Sequence, residues 1–128
     1  MKIEHFALNV SDPVKMADWY CENLGMKVVR KIDGRANTHF LADSSGSVMT
    51  EIYNNPVDSV PDYKAQDPLI LHLAFVSENP VDDSARLIRA GASKADEVKL
   101  PDGSHLVMLR DPWGLAIQLC KRGKPMKL

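Results

Sequence analysis

The sequence predicts an α+β fold made of two tandem βαβββ modules. The first observation is an internal repeat: one shift of 67 residues, about half of the 128-residue chain, aligns segments that begin at His5 and His72. The second is an apolar run of strand length followed by a helix start in each half. The third is a set of three short strands, separated by turn motifs, after each helix.

The repeat extends well beyond the two histidines. The shift of 67 aligns three pairs of segments: His5–Leu8 with His72–Phe75, Pro13–Val14 with Pro80–Val81, and Thr50–Ile52 with Ile117–Leu119. A single duplication of this length indicates two halves of one domain, since solenoids repeat about every 20–50 residues. Two unrelated strand–helix–strand segments with a chance similarity are the alternative interpretation.

Each module is predicted to open with a strand and to continue into a helix. Residues 3–10 and 69–76 are the strands, because they are apolar runs with β-branched and aromatic members. A capping residue and a proline then begin each helix: Ser11 or Asp12 before Pro13, and Asn79 before Pro80. Apolar residues recur at helical spacing after both prolines, and a glycine suited to a left-handed helix end follows each run.

Three further strands complete each module. They are predicted at about 26–32, 36–42 and 47–53 in the first half, and at about 94–99, 104–110 and 115–120 in the second. The chain is therefore predicted to form a single domain over residues 1–122, divided into module one (about 1–53), a linker (54–68) and module two (about 69–122), and followed by a tail (123–128).

Four potential metal ligands occupy corresponding positions of the two modules. His5 and Glu51 stand 46 residues apart, and so do His72 and Gln118. Because side chains alternate along a strand, each of the four shares a face with small or polar neighbours. The larger aliphatic residues mostly lie on the opposite face, under the helices. This pattern leaves room for a cavity beside the four side chains.

Composition and charge exclude several classes of protein. The formal net charge is −1 and 45% of the residues are hydrophobic, as in ordinary globular domains, and no basic stripe favours nucleic acid. No apolar run reaches the roughly 20 residues of a membrane-spanning helix, and no signal peptide opens the chain. The two cysteines, Cys21 and Cys120, form no known motif, which predicts a reducing compartment and a cytoplasmic location.

Four segments, in this order and spacing, resemble the vicinal oxygen chelate superfamily, which includes glyoxalase I, bleomycin resistance proteins and extradiol dioxygenases. The segments are residues 5–13 (HFALNVSDP), 19–25 (WYCENLG), 72–76 (HLAFV) and 111–119 (DPWGLAIQL). The resemblance covers nearly the whole chain and is closest to single-domain members similar to glyoxalase I. It implies a cupped mixed sheet with helices on its outer face, and a homodimer whose modules pair within or between chains.

The resemblance also implies one divalent metal ion per site. Each half of the family fold contributes a ligand from its first strand and another from its last, so the ligands here would be His5, Glu51, His72 and Gln118. Two imidazoles, a carboxylate and an amide oxygen suit Zn, Ni, Co, Mn or Fe(II). They leave one or two coordination positions for water or for two adjacent oxygens of a substrate.

Gln118 narrows the activity that the resemblance implies. Many relatives carry glutamate at this position, and an extradiol dioxygenase needs that carboxylate beside two histidines. Glu51 is then the one ligand able to act as a base. We predict a metal-dependent lyase or isomerase of the glyoxalase I type. It would chelate a substrate with adjacent oxygens and shift a proton through an enediolate, with Glu51 as the catalytic base.

Three residues are candidates for contact with a small-molecule substrate. Asn9 and Tyr53 share the face of the ligands in module one, and Trp113 stands on a turn, where packing is the alternative role. Asn9 replaces the arginine that binds glutathione in glyoxalase I, which argues against a thiol cofactor. A metal-free small-molecule binding protein of the bleomycin resistance type is the alternative function; a dioxygenase or a thiol transferase is less favoured.

Overall fold

The structure, a computed structural model, describes residues 1–47 and 49–126. It divides into two compact units, residues 1–61 and 62–128, and each contains one βαβββ module. The α+β class with two tandem modules is therefore confirmed. That the modules form a single domain with a cupped sheet stays a prediction. Val48, predicted within a strand, and the last two residues of the predicted tail lie outside the described residues.

Module one is a four-stranded mixed sheet with one helix. In chain order its elements are β1 (Phe6–Asn9), α1 (Pro13–Leu24), β2 (Lys27–Ile32), β3 (Thr38–Ala42) and β4 (Met49–Tyr53). The strand order is β1-β4-β3-β2, with β1 parallel to β4 and the other pairs antiparallel. The first and last strands of the module are therefore neighbours, so their side chains can meet on one face.

Helix α1 begins and ends where its sequence predicts. The Asp12 side chain accepts a hydrogen bond from the Lys15 backbone N–H at 3.0 Å, and Pro13 stands in the first turn. Gly25 ends the helix in the left-handed conformation, with a φ of 68°. Local capping chemistry therefore sets both ends of this helix.

The core of module one lies between α1 and one face of the sheet. Met16 and Tyr20 of the helix, and Leu8 and Ile52 of the strands, are all at most 6% exposed. Burial of each such side chain stabilises the fold by about 1.5–3 kcal/mol, so these residues determine which face of the sheet is inside. Glu51 alternates with Ile52 along β4 and lies on the opposite face, as predicted.

Module two repeats this arrangement after a short 3-10 helix at Tyr63–Ala65. Its elements are β5 (Leu73–Val76), α2 (Pro80–Arg89), β6 (Ser93–Lys99), β7 (His105–Arg110) and β8 (Ala116–Lys121). The strand order is β5-β8-β7-β6, again with the first strand parallel to the last. Its core is centred on three residues that are fully buried, namely Leu87, Leu109 and Ile117. No helix in the described part of the chain is long and apolar enough to cross a membrane.

The predicted first strands of both modules are too long. β1 begins at Phe6 and β5 at Leu73, so His5 and His72 each stand one residue before a strand. In module two a turn replaces the predicted start: the Asp67 carbonyl accepts a hydrogen bond from the Ile70 N–H at 2.9 Å. The 3-10 helix inside the predicted linker was also missed. Both corrections arise where a local turn outweighs apolar composition.

Candidate functional site

A row of side chains crosses the open face of module one, which is the face of the sheet away from α1. Strand register places Arg30, Phe40, Glu51 and Ala7 side by side on β2, β3, β4 and β1. Glu51 therefore stands between an aromatic ring and the smallest side chain of the row. Its side chain retains 19% of its surface exposed to solvent, which leaves the carboxylate accessible to a ligand.

His5 lies just before β1 and contacts Glu51. Its Nε2 atom is 3.1 Å from the Oε2 atom of Glu51. The imidazole packs edge-on against the Phe40 ring, with ring centres 5.5 Å apart and 85° between the planes. Its Nδ1 atom contacts the carboxylate of Glu4. The structure therefore brings together two of the four predicted metal ligands.

Two carboxylates favour the protonated form of the His5 imidazole. The hydrogen bond with Glu4 is the largest cause that raises the pKa of His5 above its usual 6.5, and Glu51 adds smaller contributions. A divalent metal ion binds the neutral imidazole and must displace this proton. Any metal affinity that depends on His5 is therefore expected to increase as the pH rises.

The spacing of the His5 and Glu51 donor atoms fits a shared metal ion. Ligand bonds of about 2.1 Å, at angles between about 90° and 109°, place two donor atoms about 3.0–3.4 Å apart. The observed separation of 3.1 Å lies in this range. The Glu4 carboxylate beside Nδ1 also matches the second partner that metal-bound histidines commonly have. The donor set of module one therefore fits the implied ion.

His72 of module two has a defined tautomer. Its Nδ1 atom lies 2.8 Å from the carbonyl oxygen of Pro68. A carbonyl oxygen can only accept a hydrogen bond, so Nδ1 carries the hydrogen in the neutral ring. The Nε2 atom then presents its lone pair, which is the form that can bind a metal ion. His72 is half-buried at the entrance to β5.

Gln118 lies in the middle of β8, next to Ala74 of β5 and Met108 of β7. Its amide oxygen accepts a hydrogen bond from the Cys120 thiol, with the sulfur 3.0 Å away. Burial raises the pKa of the Cys120 thiol, which keeps the sulfur protonated as a donor. An amide oxygen has two lone pairs, so this contact leaves one available for a metal ion or a ligand.

A cavity of about 390 Å³ lies in module two, at the carboxyl ends of β5 and β8. Residues 74–78 and 120–122 line it, together with Pro125 and Met126. Its volume is within the range of about 300–1,000 Å³ that is typical of small-molecule sites. Ala74 and Cys120 border both this cavity and Gln118, so a molecule bound there would lie near the amide.

The three predicted substrate contacts have different surroundings. The Asn9 amide donates to the carbonyl of Ser59 at 3.3 Å and accepts from the N–H of Asn55 at 2.8 Å, which holds the segment after β4. Tyr53 ends β4 and is half-buried. Trp113 is half-buried in the β7–β8 turn, where its backbone N–H donates to the Asp111 carboxylate at 2.9 Å. Substrate binding by these residues stays a prediction.

The paired ligands were predictable from the sequence, but several of their partners were not. Glu4 and Phe40 contact His5, and the Arg110 side chain anchors the segment before His72. Arg110 directly follows four apolar residues of β7, and a charged residue at the end of such a run was the sequence signal for its role. In the described residues, no group of three or more His, Cys, Asp or Glu side chains could hold a metal ion. The complete four-residue set therefore remains a proposal.

Glu97 of β6 forms an ion cluster away from the predicted ligands. Lys94, and then His105 at 2.7 Å, hydrogen-bond its carboxylate and lower the pKa of Glu97 from 4.5 to about 2. Because the folded-state pKa is depressed, this contribution to stability is complete above about pH 4.5 and is lost as the pH falls towards 2.

In an NMR titration, the midpoint for the Glu97 carboxylate should lie near 2. The midpoint should rise in Lys94→Met, and it should rise less in His105→Gln. A wild-type midpoint near 4.5 would contradict the cluster.

The two modules define a class of protein: small chains with a duplicated βαβββ unit in which each half carries a histidine and an oxygen donor. The chain belongs to the Glyoxalase/Bleomycin resistance protein/Dioxygenase superfamily, whose family model matches residues 2–119. This membership confirms the resemblance that the sequence motifs indicated. No curated protein matches the chain in sequence.

Several solved structures share the fold. TnmS3 from Streptomyces sp. CB03234, described as an antibiotic binding protein, is 22% identical, with a TM-score of 0.72 and coverage of 95% of this chain and 96% of that one. A glyoxalase family protein from Bacillus cereus is 14% identical, with a TM-score of 0.80 and coverage of 95% and 94%. SMU.1112c is 27% identical, with a TM-score of 0.70 and coverage of 94% and 99%.

Proposed function

We propose that this protein is a metal-dependent lyase or isomerase that binds a substrate through two adjacent oxygens. The ligands of one divalent ion would be His5, Glu51, His72 and Gln118. The observation that carries the proposal is the 3.1 Å separation of the His5 and Glu51 donor atoms on the open face. The Nδ1–H tautomer of His72 supports it, because that tautomer leaves Nε2 unprotonated.

Glu51 is the proposed base. A bound divalent ion would supply electrostatic stabilisation for negative charge that develops on the two substrate oxygens. Glu51, detached or shifted from the ion, would accept the proton from the neighbouring substrate carbon and deliver it to the product, since it is the one carboxylate in the set. Gln118 would bind the ion through its amide oxygen but cannot take up a proton. The Phe40 ring and Ala7 would shape the apolar wall beside the carboxylate.

Metal binding is the first test of this proposal. We expect protein purified without chelator to contain about one Zn, Ni, Co, Mn or Fe(II) ion per site by elemental analysis. His72→Gln should weaken the affinity at least about 100-fold, because loss of a mere second partner already costs about 10- to 100-fold. His105→Gln, which removes a histidine outside the set, is the matched control. Absence of binding to all five ions at micromolar concentration would exclude the proposal.

The substrate class requires an activity screen. Metal-loaded protein should be assayed with α-ketoaldehyde hemithioacetals, acyl-CoA epimers and catechols. Turnover of either of the first two classes supports proton transfer, whereas ring cleavage of catechols would assign the protein to the dioxygenases. Turnover of a glutathione hemithioacetal would show that a thiol cofactor is used in spite of Asn9, whereas turnover of acyl-CoA epimers alone would agree with the doubt about that cofactor.

A metal-free binding protein is the second candidate function. Two observations favour it: His5 is already satisfied between two carboxylates, and module two contains a cavity of about 390 Å³. TnmS3, which has the same fold, is described as an antibiotic binding protein. Ligand-induced thermal stabilisation in the presence of a chelator would favour this function over the enzyme.

The assembly and location of the protein are further parts of the proposal. We propose a homodimer, to be tested by light scattering coupled to size-exclusion chromatography. The free thiols of Cys21 and Cys120 support a reducing, cytoplasmic location. A dimer would allow the modules to pair within one chain or between two.

A further inference from the structure

Arg110, the last residue of β7, binds three backbone carbonyl groups. Its Nη1 atom donates to the carbonyl oxygens of Tyr63 at 2.9 Å and Gly114 at 3.0 Å, and its Nη2 atom donates to that of Gln66 at 2.7 Å. The rigid guanidinium fork makes these bonds simultaneously. We call this arrangement the Arg110 brace. It joins the 3-10 helix to the β7–β8 turn.

A close backbone approach supports the same junction independently. Gly114 has a φ of +89°, and a Cβ atom built on it would lie 2.7 Å from Cβ of Lys64 and 2.9 Å from its backbone nitrogen. Only glycine combines this conformation with this proximity. The 3-10 helix therefore packs directly on the turn, and the Arg110 side chain secures its carboxyl end.

The brace leads directly to His72. Gln66, whose carbonyl Arg110 binds, is followed by a turn in which the Asp67 carboxylate accepts from the Leu69 N–H at 2.8 Å. Within that turn the carbonyl of Pro68 accepts the hydrogen of His72 Nδ1 at 2.8 Å. The position of the Pro68 carbonyl, two residues beyond Gln66, thus depends on where the brace holds the chain.

We propose that Arg110 is a positioning residue for His72: the brace fixes the Pro68 carbonyl, which selects the Nδ1–H tautomer and leaves Nε2 free to bind. Arginine suits this role because it remains protonated and its five donors are arranged in a plane. A lysine at the same place would offer a point charge without the fork. The use of Nε2 as a metal ligand rests on the proposed function, whereas the choice of tautomer does not.

The direct test measures the imidazole nitrogens of His72 by ¹⁵N NMR at a pH where the ring is neutral. We expect the wild type to show the Nδ1–H tautomer. Arg110→Met should shift the ring towards the Nε2–H tautomer, and Arg110→Lys should restore part of the wild-type signature. Arg89→Met, which removes an exposed arginine from α2, should leave the spectrum unchanged. Backbone amide spectra will establish that each variant is folded.

A second measurement separates this inference from the proposed function. If Zn²⁺ binds, its affinity should fall about 10- to 100-fold in Arg110→Met, as expected for loss of an orienting partner. If the wild-type protein binds no metal, a changed tautomer in Arg110→Met would still support the positioning role, and the metal-dependent function would be excluded. An Nε2–H tautomer in the wild type, or an unchanged tautomer in folded Arg110→Met, would overturn the inference. If Arg110→Met does not fold, the wild type is compared with Arg110→Lys. A smaller share of the Nδ1–H tautomer in Arg110→Lys supports the inference, and an unchanged share overturns it.

Discussion

Replacing Glu51 with glutamine is expected to lower kcat by about 100- to 10,000-fold, the usual contribution of a general base. Glutamine has nearly the same shape, so the β4 strand and its contacts with Ala7 and Phe40 should persist. The amide can still offer an oxygen to a metal ion but cannot accept a proton. The measurement is kcat at saturating metal with the substrate found in the activity screen, together with the metal content.

Two matched variants make this result specific. Glu22→Gln removes an exposed carboxylate from α1 and should leave turnover unchanged. Glu4→Gln removes the carboxylate beside His5 Nδ1. At a pH high enough for the wild-type imidazole to be neutral, so that competition with a proton plays no part, it is expected to lower metal affinity about 10- to 100-fold, with a smaller effect on kcat. Full turnover in metal-loaded Glu51→Gln would rule out Glu51 as the base.

Replacing Gly114 with alanine is expected to destabilise module two by about 2–6 kcal/mol. A non-glycine residue at positive φ costs about 1–3 kcal/mol, and overpacking costs about 1–3 kcal/mol more. Here the added Cβ would press on the backbone of Lys64, which can yield only if the 3-10 helix moves. The free energy of unfolding should be followed in urea with amide signals of β7 and β8, which report on module two alone.

Gly103 provides the control for this prediction. It lies in the same module with a φ of +86°, but the nearest atom to an added Cβ is 3.9 Å away. Gly103→Ala should therefore show the conformational cost without the overpacking. Equal losses of unfolding free energy in the two variants would contradict the close approach of Lys64.

Gly114→Ala should also disturb the His72 tautomer, because it displaces the segment that Arg110 holds.

Local chemistry explains why most of the fold was predictable. Asp12, Pro13 and Gly25 cap α1 through hydrogen bonds and backbone conformations that involve neighbouring residues, so the helix could be placed from a short window. The start of β5 was misplaced for the converse reason. Leu69 and Ile70 look like strand residues, yet the preceding Asp67–Pro68 turn leaves them 78% and 73% exposed.

The duplicated pattern was sufficient to predict the two modules and the shared face of their candidate ligands. Because Ile52 is buried under the helix, its neighbour Glu51 must point to the opposite face of the sheet. The partners of those ligands came from three-dimensional packing. Arg110 and the Gln66 carbonyl are 44 residues apart, and their contact depends on how a connecting segment settles on a turn. Such bonds leave no periodic pattern in the sequence. The residues in contact with His5 and His72 could therefore be identified only from the folded modules.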